Sequence, residues 1–434
     1  MSELPEGWET VVLADITNNH DGQRIPVRAS DRQGRQGQYP YYGASGIIDS
    51  VNEYLFDGEY LLIAEDGANL LARSTPIAFQ ARGKFWVNNH AHVVTANEAT
   101  SHSYIEYYLN SIDLAPFVTG SAQPKLTQKA LNSIPVPLAP AHEQRRIVKK
   151  LDSLRARSAR ARHELDLIPN LIERYKQAIL AKAFSGHLTT DWRVSRMLPV
   201  SPARSSAAFQ LDDQERGRWA CEELPAGWEW KRFSQFFSDE TDSKRKLQQK
   251  AYETEGLYPV VDQGEAFIGG YTSDAGILCV TEPPIILFGD HTRCVKYIDF
   301  QFAQGADGTK VLKPHSEIEP RYAYYALRAI DLPNKGYSRH MKFVRSSLFP
   351  CCQFEEQQEV VARIDRAFSW LDKIATEHAR ADHLLPKLDQ AILAKAFRGE
   401  LVPQDPNDEP ASVLLERIGA ERETARNRGR RSRA

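Results

Sequence analysis

The chain has 434 residues, of which 42% are hydrophobic and 26% charged, with a formal net charge of −2, which predicts two to four globular domains. This balance excludes a globally basic nucleic-acid-coating protein, and without an apolar run of about 20 residues no transmembrane helix is predicted. The five cysteines include no CxxC pair, which favours a reduced, cytoplasmic location.

Two motifs occur twice and predict that the chain contains two copies of one structural unit. LPEGWE at Leu4–Glu9 recurs as LPAGWE at Leu224–Glu229, and QAILAKAF at Gln177–Phe184 recurs 213 positions later at Gln390–Phe397. Each copy opens with the same short motif, continues through a globular segment and ends in a helix followed by glycine. The pattern is a tandem duplication with a long period, not a solenoid of short repeats.

The first globular segment, 1–140, is predicted to mix strands and helices. Short apolar runs bounded by Gly, Asn or Asp, such as Tyr39–Tyr42 and Tyr60–Ala64, predict short strands. A helix is predicted near Ser103–Leu109, where three tyrosines share one face. The run Ile134–Pro137 is predicted to be extended because of its prolines.

Residues 141–184 are predicted to form one long helix. Apolar residues recur at steps of four and three from Ile147 to Ile179, which is the heptad period of a coiled coil. Such a helix spans roughly 60 Å. Pro169 is predicted to kink or break it, because proline removes a backbone hydrogen bond.

The second half repeats this order after a linker at 185–223, in which Gln214–Glu222 is predicted to be a short helix. The second globular segment, 224–353, shares the framework of the first but carries different polar loops. Two copies of one scaffold with different loops favour two sites of one class with different specificities.

The second long helix is predicted at 354–397, with a kink or break at Pro386. The tail, 398–434, contains a predicted short helix at Ala411–Ile418. Its last stretch, Arg422–Arg433, contains six arginines and is predicted to be a frayed basic end.

Catalytic motifs are missing from the sequence. There is no P-loop, GxSxG or HExxH motif. Glu282–Ile285 comes nearest to an amino-methyltransferase motif, but Ile285 stands where a base-stacking ring is needed. His378 has no second ligand at metal-binding spacing. The sequence therefore predicts a binding protein rather than an enzyme, with no cofactor or metal in this chain.

Two globular segments, each followed by a long helix ending in AILAKAF and glycine, together with the tail motif Asp405–Ser412, resemble the DNA-specificity (S) subunit of type I restriction-modification systems. Tyr41–Gly46, followed by Glu65–Gly67, is similar to the target-recognition domains of that family. The resemblance implies an α+β fold in which two similar target-recognition domains are separated by two long helices forming an antiparallel coiled coil.

The resemblance also implies the function. S subunits have no catalytic centre and bind a bipartite, asymmetric DNA site, one half per domain. Two modification subunits methylate adenine N6 with S-adenosylmethionine, and two motor-nuclease subunits can join in host defence. We therefore expect double-stranded DNA and these subunits as partners, no membrane, and a spacer between half-sites fixed by helix length. The alternative is a tandem coiled-coil adaptor for proteins or glycans, whose affinity would be insensitive to salt.

Candidate DNA contacts are side chains that can pair with base edges or carry positive charge to phosphates. In the first domain they are Arg24, Arg28, Tyr42, Ser45, Asn69, Arg73, Asn89, His90 and Lys125. In the second they are Lys244, Arg245, Gln263, His291, Arg293, Lys310, Arg339, His340 and Lys342. The basic start of the first long helix, from Arg145 to Arg162, is either a solvated face or a surface for phosphates or a modification subunit.

Overall fold

The computed structural model describes residues 4–120, 123–198, 219, 223–305, 308–333 and 338–420. The chain divides into two compact units, Met1–Leu165 with Arg380–Ala434 (unit 1) and Asp166–Ala379 (unit 2). The boundary falls inside both long helices, so each helix contributes to both units. The predicted helix at Gln214–Glu222, apart from Trp219, and the arginine-rich end lie outside the described residues. No helix in the described ranges is long and apolar enough to cross a membrane.

Unit 1 is built on a curled sheet of order β2-β7-β5-β6-β3-β4, beside a small β1-β8 sheet. The strands are β1 Glu9–Val12, β2 Thr17–Asn19, β3 Tyr39–Gly43, β4 Gly46–Val51, β5 Phe56–Ala64, β6 Ala78–Val87, β7 Ala91–Ala96 and β8 Pro135–Leu138. The predicted strands and the extended run before the first long helix are therefore confirmed, most of them with longer bounds.

The pairing of β5 requires the sheet to curl. Phe56, at the start of β5, pairs with Phe85 near the end of β6, whereas Ala64, at its end, pairs with Ala91 at the start of β7. A flat sheet would separate these two pairs by roughly 25 Å. Only residues 88–90 connect the end of β6 to the start of β7, and three residues are too short to span that distance. The strands must therefore coil, which brings the end of β6 close to the start of β7. The turn 88–90 therefore lies beside the loop that follows β5.

The short helices of unit 1 are α1 Leu13–Ile16, α2 Ala29–Gln33, α3 Asn69–Ala72, α4 His102–Ser111 and α5 Gln128–Asn132. The predicted tyrosine helix is α4, which begins where the Ser101 hydroxyl accepts a hydrogen bond from the Tyr104 amide at 3.2 Å. The buried Tyr104 hydroxyl donates to the Pro137 carbonyl at 2.7 Å and ties α4 to β8.

Two long helices follow the globular parts: α6 is Ala141–Phe184 and α11 is Phe354–Ala396. Both continue through Pro169 and Pro386, so neither proline breaks its helix, and a kink at each stays a prediction. Each proline lies on an exposed face, where water can satisfy the carbonyl that loses its hydrogen bond.

Unit 2 contains two four-stranded sheets, β10-β17-β14-β15 and β11-β16-β12-β13, and the pair β18-β9. Its strands are β9 Glu229–Arg232, β10 Phe237–Asp239, β11 Lys246–Leu247, β12 Tyr258–Val261, β13 Gly270–Thr272, β14 Ile285–Gly289, β15 Val295–Ile298, β16 Ala303–Gly305, β17 Thr309–Pro314 and β18 Leu348–Cys351. Its shorter helices are α7 Thr190–Ser195, α8 Phe233–Phe236, α9 Pro320–Ala329 and α10 Met341–Arg345.

The long helices pair in opposite directions. In unit 1 the start of α6 lies against the end of α11, where the Ser158 hydroxyl donates to Asp389 at 2.7 Å. In unit 2 the end of α6 lies against the start of α11, where Lys176 Nζ is 2.9 Å from Asp372. This is the antiparallel arrangement that the resemblance implied.

The two repeated motifs meet within each unit. A Cβ added to Gly399, which follows the second QAILAKAF, would lie 2.3 Å from Pro5 of the first LPxGWE, and one on Gly186 would lie equally close to Pro225. Both glycines have positive φ, so only glycine combines this backbone with the contact. The motifs are repeated because they form the same junction twice.

The predicted linker, 185–223, begins with a folded segment after α6. Residues 187–195 fold into a short helical stretch that ends with α7, and Arg193 is only 2% exposed against the start of α11. In the tail, residues 411–420 are helical, and the Ala411 amide donates to the Gly7 carbonyl at 2.9 Å.

Candidate nucleic-acid interface

In unit 1, loops at one end of the curled sheet converge on Glu65, which follows β5. Its nearly buried carboxylate accepts a hydrogen bond from Arg24 at 2.6 Å and lies 3.2 Å from Lys125 Nζ. Its amide donates to the His90 carbonyl at 2.9 Å. Burial opposes ionisation, but Arg24 and His92 hold the pKa of Glu65 below its ordinary value. The structure thus brings together the predicted residues Arg24, His90 and Lys125.

A buried pair supports this cluster from behind. His92 Nδ1 faces Asp21 at 2.6 Å, and its Nε2 faces the Leu126 carbonyl at 2.8 Å. Burial raises the pKa of Asp21, but hydrogen bonds from His92 and the Val93 amide outweigh it and lower this pKa overall. The pair fixes β7 against the loop that carries Lys125.

The turn between β6 and β7 presents polar groups at the surface. Asn88 is buried and its side-chain oxygen accepts from the His90 amide at 2.8 Å, which shapes the turn. The exposed His90 ring faces both Asp66 carboxylate oxygens at 2.9 Å through Nδ1, and Asn89 is exposed beside it. Such an amide and carboxylate can pair with the amino groups of adenine or cytosine.

The other unit 1 candidates differ in accessibility. Arg28 and Ser45 are exposed. The Tyr42 ring is half-buried, with its centroid 5.5 Å from that of Phe85, and burial raises the pKa of its hydroxyl. Asn69 closes its own loop, because its side chain accepts from the Ser74 hydroxyl at 2.9 Å. None of these contacts tests a role in DNA binding, which stays a prediction.

In unit 2, four cations line a concave pocket of about 530 Å³ at the corresponding end of the sheet: Lys310 on β17, Arg339, and Lys342 and Arg345 on α10. Asp290, at 4% exposure, also lines this pocket. Its Oδ1 accepts from the Met341 amide at 2.6 Å, which anchors α10. The pocket combines high positive charge with a shape open to a ligand.

His340 does not belong to this surface. Its side chain is fully buried, and Nδ1 donates to the Asp290 carbonyl at 3.0 Å. The prediction that His340 contacts DNA is wrong for this structure, because the ring packs beneath α10 and holds it to the loop after β14.

The remaining unit 2 candidates lie on three loops, after β10, β12 and β14. Gln263 Oε1 accepts from the His291 amide at 3.2 Å, and a Cβ on Gly308 would meet both side chains within 3 Å. These residues are therefore gathered near Lys310. Lys244 is exposed on a separate loop, where Arg245 donates to the Gly276 carbonyl at 3.1 Å.

Arg73 and Arg293 occupy equivalent positions, and each donates a hydrogen bond to a carbonyl group just after the end of a helix. Both have positive φ, +55° and +61°. Arg73 Nη2 donates to the Ile112 carbonyl at 2.6 Å, just after α4, and Arg293 Nη1 donates to the Leu332 carbonyl at 3.2 Å, just after α9. Burial lowers the pKa of Arg73. These hydrogen bonds give both arginines a role in the scaffold, and their contact with DNA stays a prediction.

Arg345 was missed by the sequence analysis. It pairs with Asp239 at 2.6 Å and lines the same pocket as Lys342. The spacing Arg339, Lys342, Arg345 places basic residues at three-residue intervals, which is the signal that could have predicted this surface. Among the described residues, no group of three or more His, Cys, Asp or Glu side chains could hold a metal ion.

Comparison with known proteins agrees with this arrangement. Residues 5–169 match the family model of the type I restriction modification DNA specificity domain. The chain is 25% identical to the EcoDI specificity subunit of Escherichia coli, over 97% of this chain and 96% of that protein. It is 27% identical to the EcoKI specificity subunit of Escherichia coli K12, with the same coverage. Over nearly its whole length, the chain is similar to type I restriction enzyme specificity subunits.

Two solved structures share the fold of this chain. The HsdS subunit from Thermoanaerobacter tengcongensis is 18% identical, with a TM-score of 0.55 over 92% of this chain and 98% of that one. A chain from a study of complex assembly and conformational transition in the type I R-M system is 19% identical, with a TM-score of 0.59 over 92% and 100%. The predicted α+β fold with two long helices is confirmed.

Proposed function

We propose that this chain is the DNA-recognition subunit of a type I restriction-modification complex. It binds a bipartite, asymmetric site, one half per unit, and directs adenine-N6 methylation and cleavage by partner subunits. One observation carries the proposal: a full-length likeness to specificity subunits coincides with two copies of one scaffold whose loops at the end of the sheet differ.

The unit 1 face supports base reading. Asn89 offers a donor and an acceptor on one amide, as adenine requires, and Asp66 offers only acceptors, as the cytosine amino group requires. Both side chains lie on turns held by backbone hydrogen bonds, such as that from the Gly67 amide to the Pro124 carbonyl at 3.0 Å. A fixed turn loses little entropy when it binds DNA.

Two modification subunits are the proposed protein partners. The long helices carry exposed apolar side chains at equivalent positions: Leu171 and Tyr175 in unit 2 are 43% and 59% exposed, and Leu384 and Leu388 in unit 1 are 48% and 52% exposed. Apolar groups repeated on a helix face support docking of another helix. Because the surface occurs once in each unit, it supports two copies of one partner.

Catalysis is assigned to the partners. S-adenosylmethionine binds the modification subunits, and motor-nuclease subunits cut DNA where they are present. This chain contributes the choice of site. Isothermal titration of the isolated chain with S-adenosylmethionine should show no binding, and saturable binding would favour a methyltransferase activity within the chain itself.

Co-expression with the modification subunit in a methylation-free host tests the function. Genome-wide mapping of N6-methyladenine should show one bipartite motif with a fixed gap. Absence of methylation by a stable, assembled complex would contradict DNA specificity.

The tandem adaptor is not supported by the comparisons. It predicts affinity that does not depend on salt, whereas log K for DNA should fall linearly with log salt concentration. If the DNA affinity of the assembled complex did not change with salt concentration, the adaptor alternative would be favoured.

A further inference from the structure

We infer that the two units contribute unequally to DNA affinity: the cationic pocket of unit 2 is the main phosphate-binding site, while unit 1 acts chiefly by reading bases. This inference rests on the proposed function and deepens it. It names a backbone-binding site formed by Lys310, Arg339, Lys342 and Arg345.

The three basic residues gathered at Glu65 and Asp66 in unit 1 are neutralised within the protein. Arg24 lies 2.6 Å from Glu65, and Lys125 lies 3.2 Å from the same carboxylate. His90 lies 2.9 Å from Asp66. A phosphate approaching this face would compete with carboxylates already in place and would meet their negative charge. Little counterion release is therefore expected from this cluster of unit 1.

The cations of unit 2 are largely unneutralised. Within the described part of the chain, only Arg345 of the four has a carboxylate partner in ion-pair contact, namely Asp239 at 2.6 Å. Lys342 and Arg339 are exposed and Lys310 is half-buried. The remaining carboxylate of the pocket, Asp290, is almost buried and accepts from the Met341 amide. The pocket therefore keeps a net positive charge.

The pocket is built on fixed elements. Lys310 lies on β17, paired with Phe288 of the central strand β14. The helix that carries Lys342 is held from below by His340 and Asp290. Fixed cations on a concave surface suit one extended polyanion, and duplex DNA supplies closely spaced phosphates along its backbone.

Lys342 and Lys125 provide an informative pair of variants, because both lysines are exposed but only Lys125 lies close to a carboxylate, that of Glu65. Binding of the assembled complex is measured on a duplex carrying the mapped site and on a scrambled duplex, over a range of salt concentrations. Lys342→Gln should weaken binding to both duplexes alike and reduce the salt slope by about one unit. Lys125→Gln should change the slope by less than about half a unit.

A triple variant, Lys310→Gln with Arg339→Gln and Lys342→Gln, should reduce the slope by about two to three units. Unchanged melting temperatures of the variants confirm that the fold is intact. Equal slope changes for Lys342→Gln and Lys125→Gln, or no change for Lys342→Gln, would overturn the inference. Failure of the wild-type complex to prefer the bipartite site would overturn the proposed function instead.

Discussion

Each unit contains an equivalent buried glutamate, but the two glutamates have different hydrogen-bond partners. Glu143 in unit 1 and Glu356 in unit 2 each accept the indole N–H of a tryptophan, Trp8 or Trp228, at 3.0 Å. In unit 2 the other carboxylate oxygen accepts from Arg193 at 2.5 Å. In unit 1, no described residue donates to that oxygen, and burial raises the pKa of Glu143.

The same division appears at the loops that face DNA in our proposal. Arg24 and Lys125 are paired with Glu65 in unit 1, whereas Lys342 and Arg339 remain open in unit 2. Duplication has thus preserved the hydrogen bonds and packing of the scaffold while the charges changed. A shared fold therefore does not imply shared electrostatics, and variants at matched positions can measure the difference.

Removing Arg193 should have the largest effect. Arg193→Met leaves the Glu356 carboxylate buried without its cation, and we expect a loss of about 3–5 kcal/mol in the free energy of unfolding. Urea denaturation measures this loss. Arg146→Met, which breaks the more exposed pair with Asp408 in unit 1, should cost no more than about 1 kcal/mol. Equal losses of stability for the two variants would contradict the expected difference between the buried ion pair of unit 2 and the more exposed ion pair of unit 1.

Arg73 tests whether a predicted DNA contact belongs to the scaffold. Arg73→Ala removes hydrogen bonds to carbonyls at the end of α4 and should destabilise unit 1 by about 1–3 kcal/mol, measured by thermal unfolding. Arg293→Ala should cost less, because Arg293 is exposed and donates to one carbonyl of the described residues. If Arg73→Ala instead reduced the salt slope of DNA binding without a loss of stability, Arg73 would be a DNA contact.

Glu143 should show a smaller effect that depends on pH. Because its pKa is raised in the folded state, its contribution to stability is complete at low pH and is lost as the pH rises through that raised value. Glu143→Gln does not titrate, so its stability relative to wild type should rise as the pH rises above the ordinary pKa of glutamate. Urea titrations at several pH values measure this.

Glu356→Gln is the matched control for that experiment. It leaves the Arg193 guanidinium buried without a carboxylate, so it should destabilise the protein at neutral pH. A gain in stability from both substitutions would show that the two glutamates are equivalent after all.

The long helices and the two-unit plan could be predicted because their signals are local. A heptad period is visible within one segment, and QAILAKAF is visible by self-comparison. The sequence did not explain why these motifs recur, since the contacts of Gly399 with Pro5 and of Gly186 with Pro225 join segments far apart in the chain.

The site could be predicted only in part. Arg73, Arg293 and His340 are polar residues near loops, and in the sequence they look the same as Lys342 or Asn89. Their roles are decided by partners that sequence does not reveal, such as the carbonyls after α4 or the Asp290 carbonyl. The continuity of α6 through Pro169 likewise depends on which face of the helix is exposed.

N6-methyladenine mapping with altered recognition turns tests the central claim most directly. The assembled complex carrying Asn89→Ala with His90→Ala should accept additional bases in one half-site, while the other half-site and the gap stay unchanged. Two units that read independent halves of one DNA site require this result. Changes in both half-sites, a changed gap, or an unaltered motif would contradict the account.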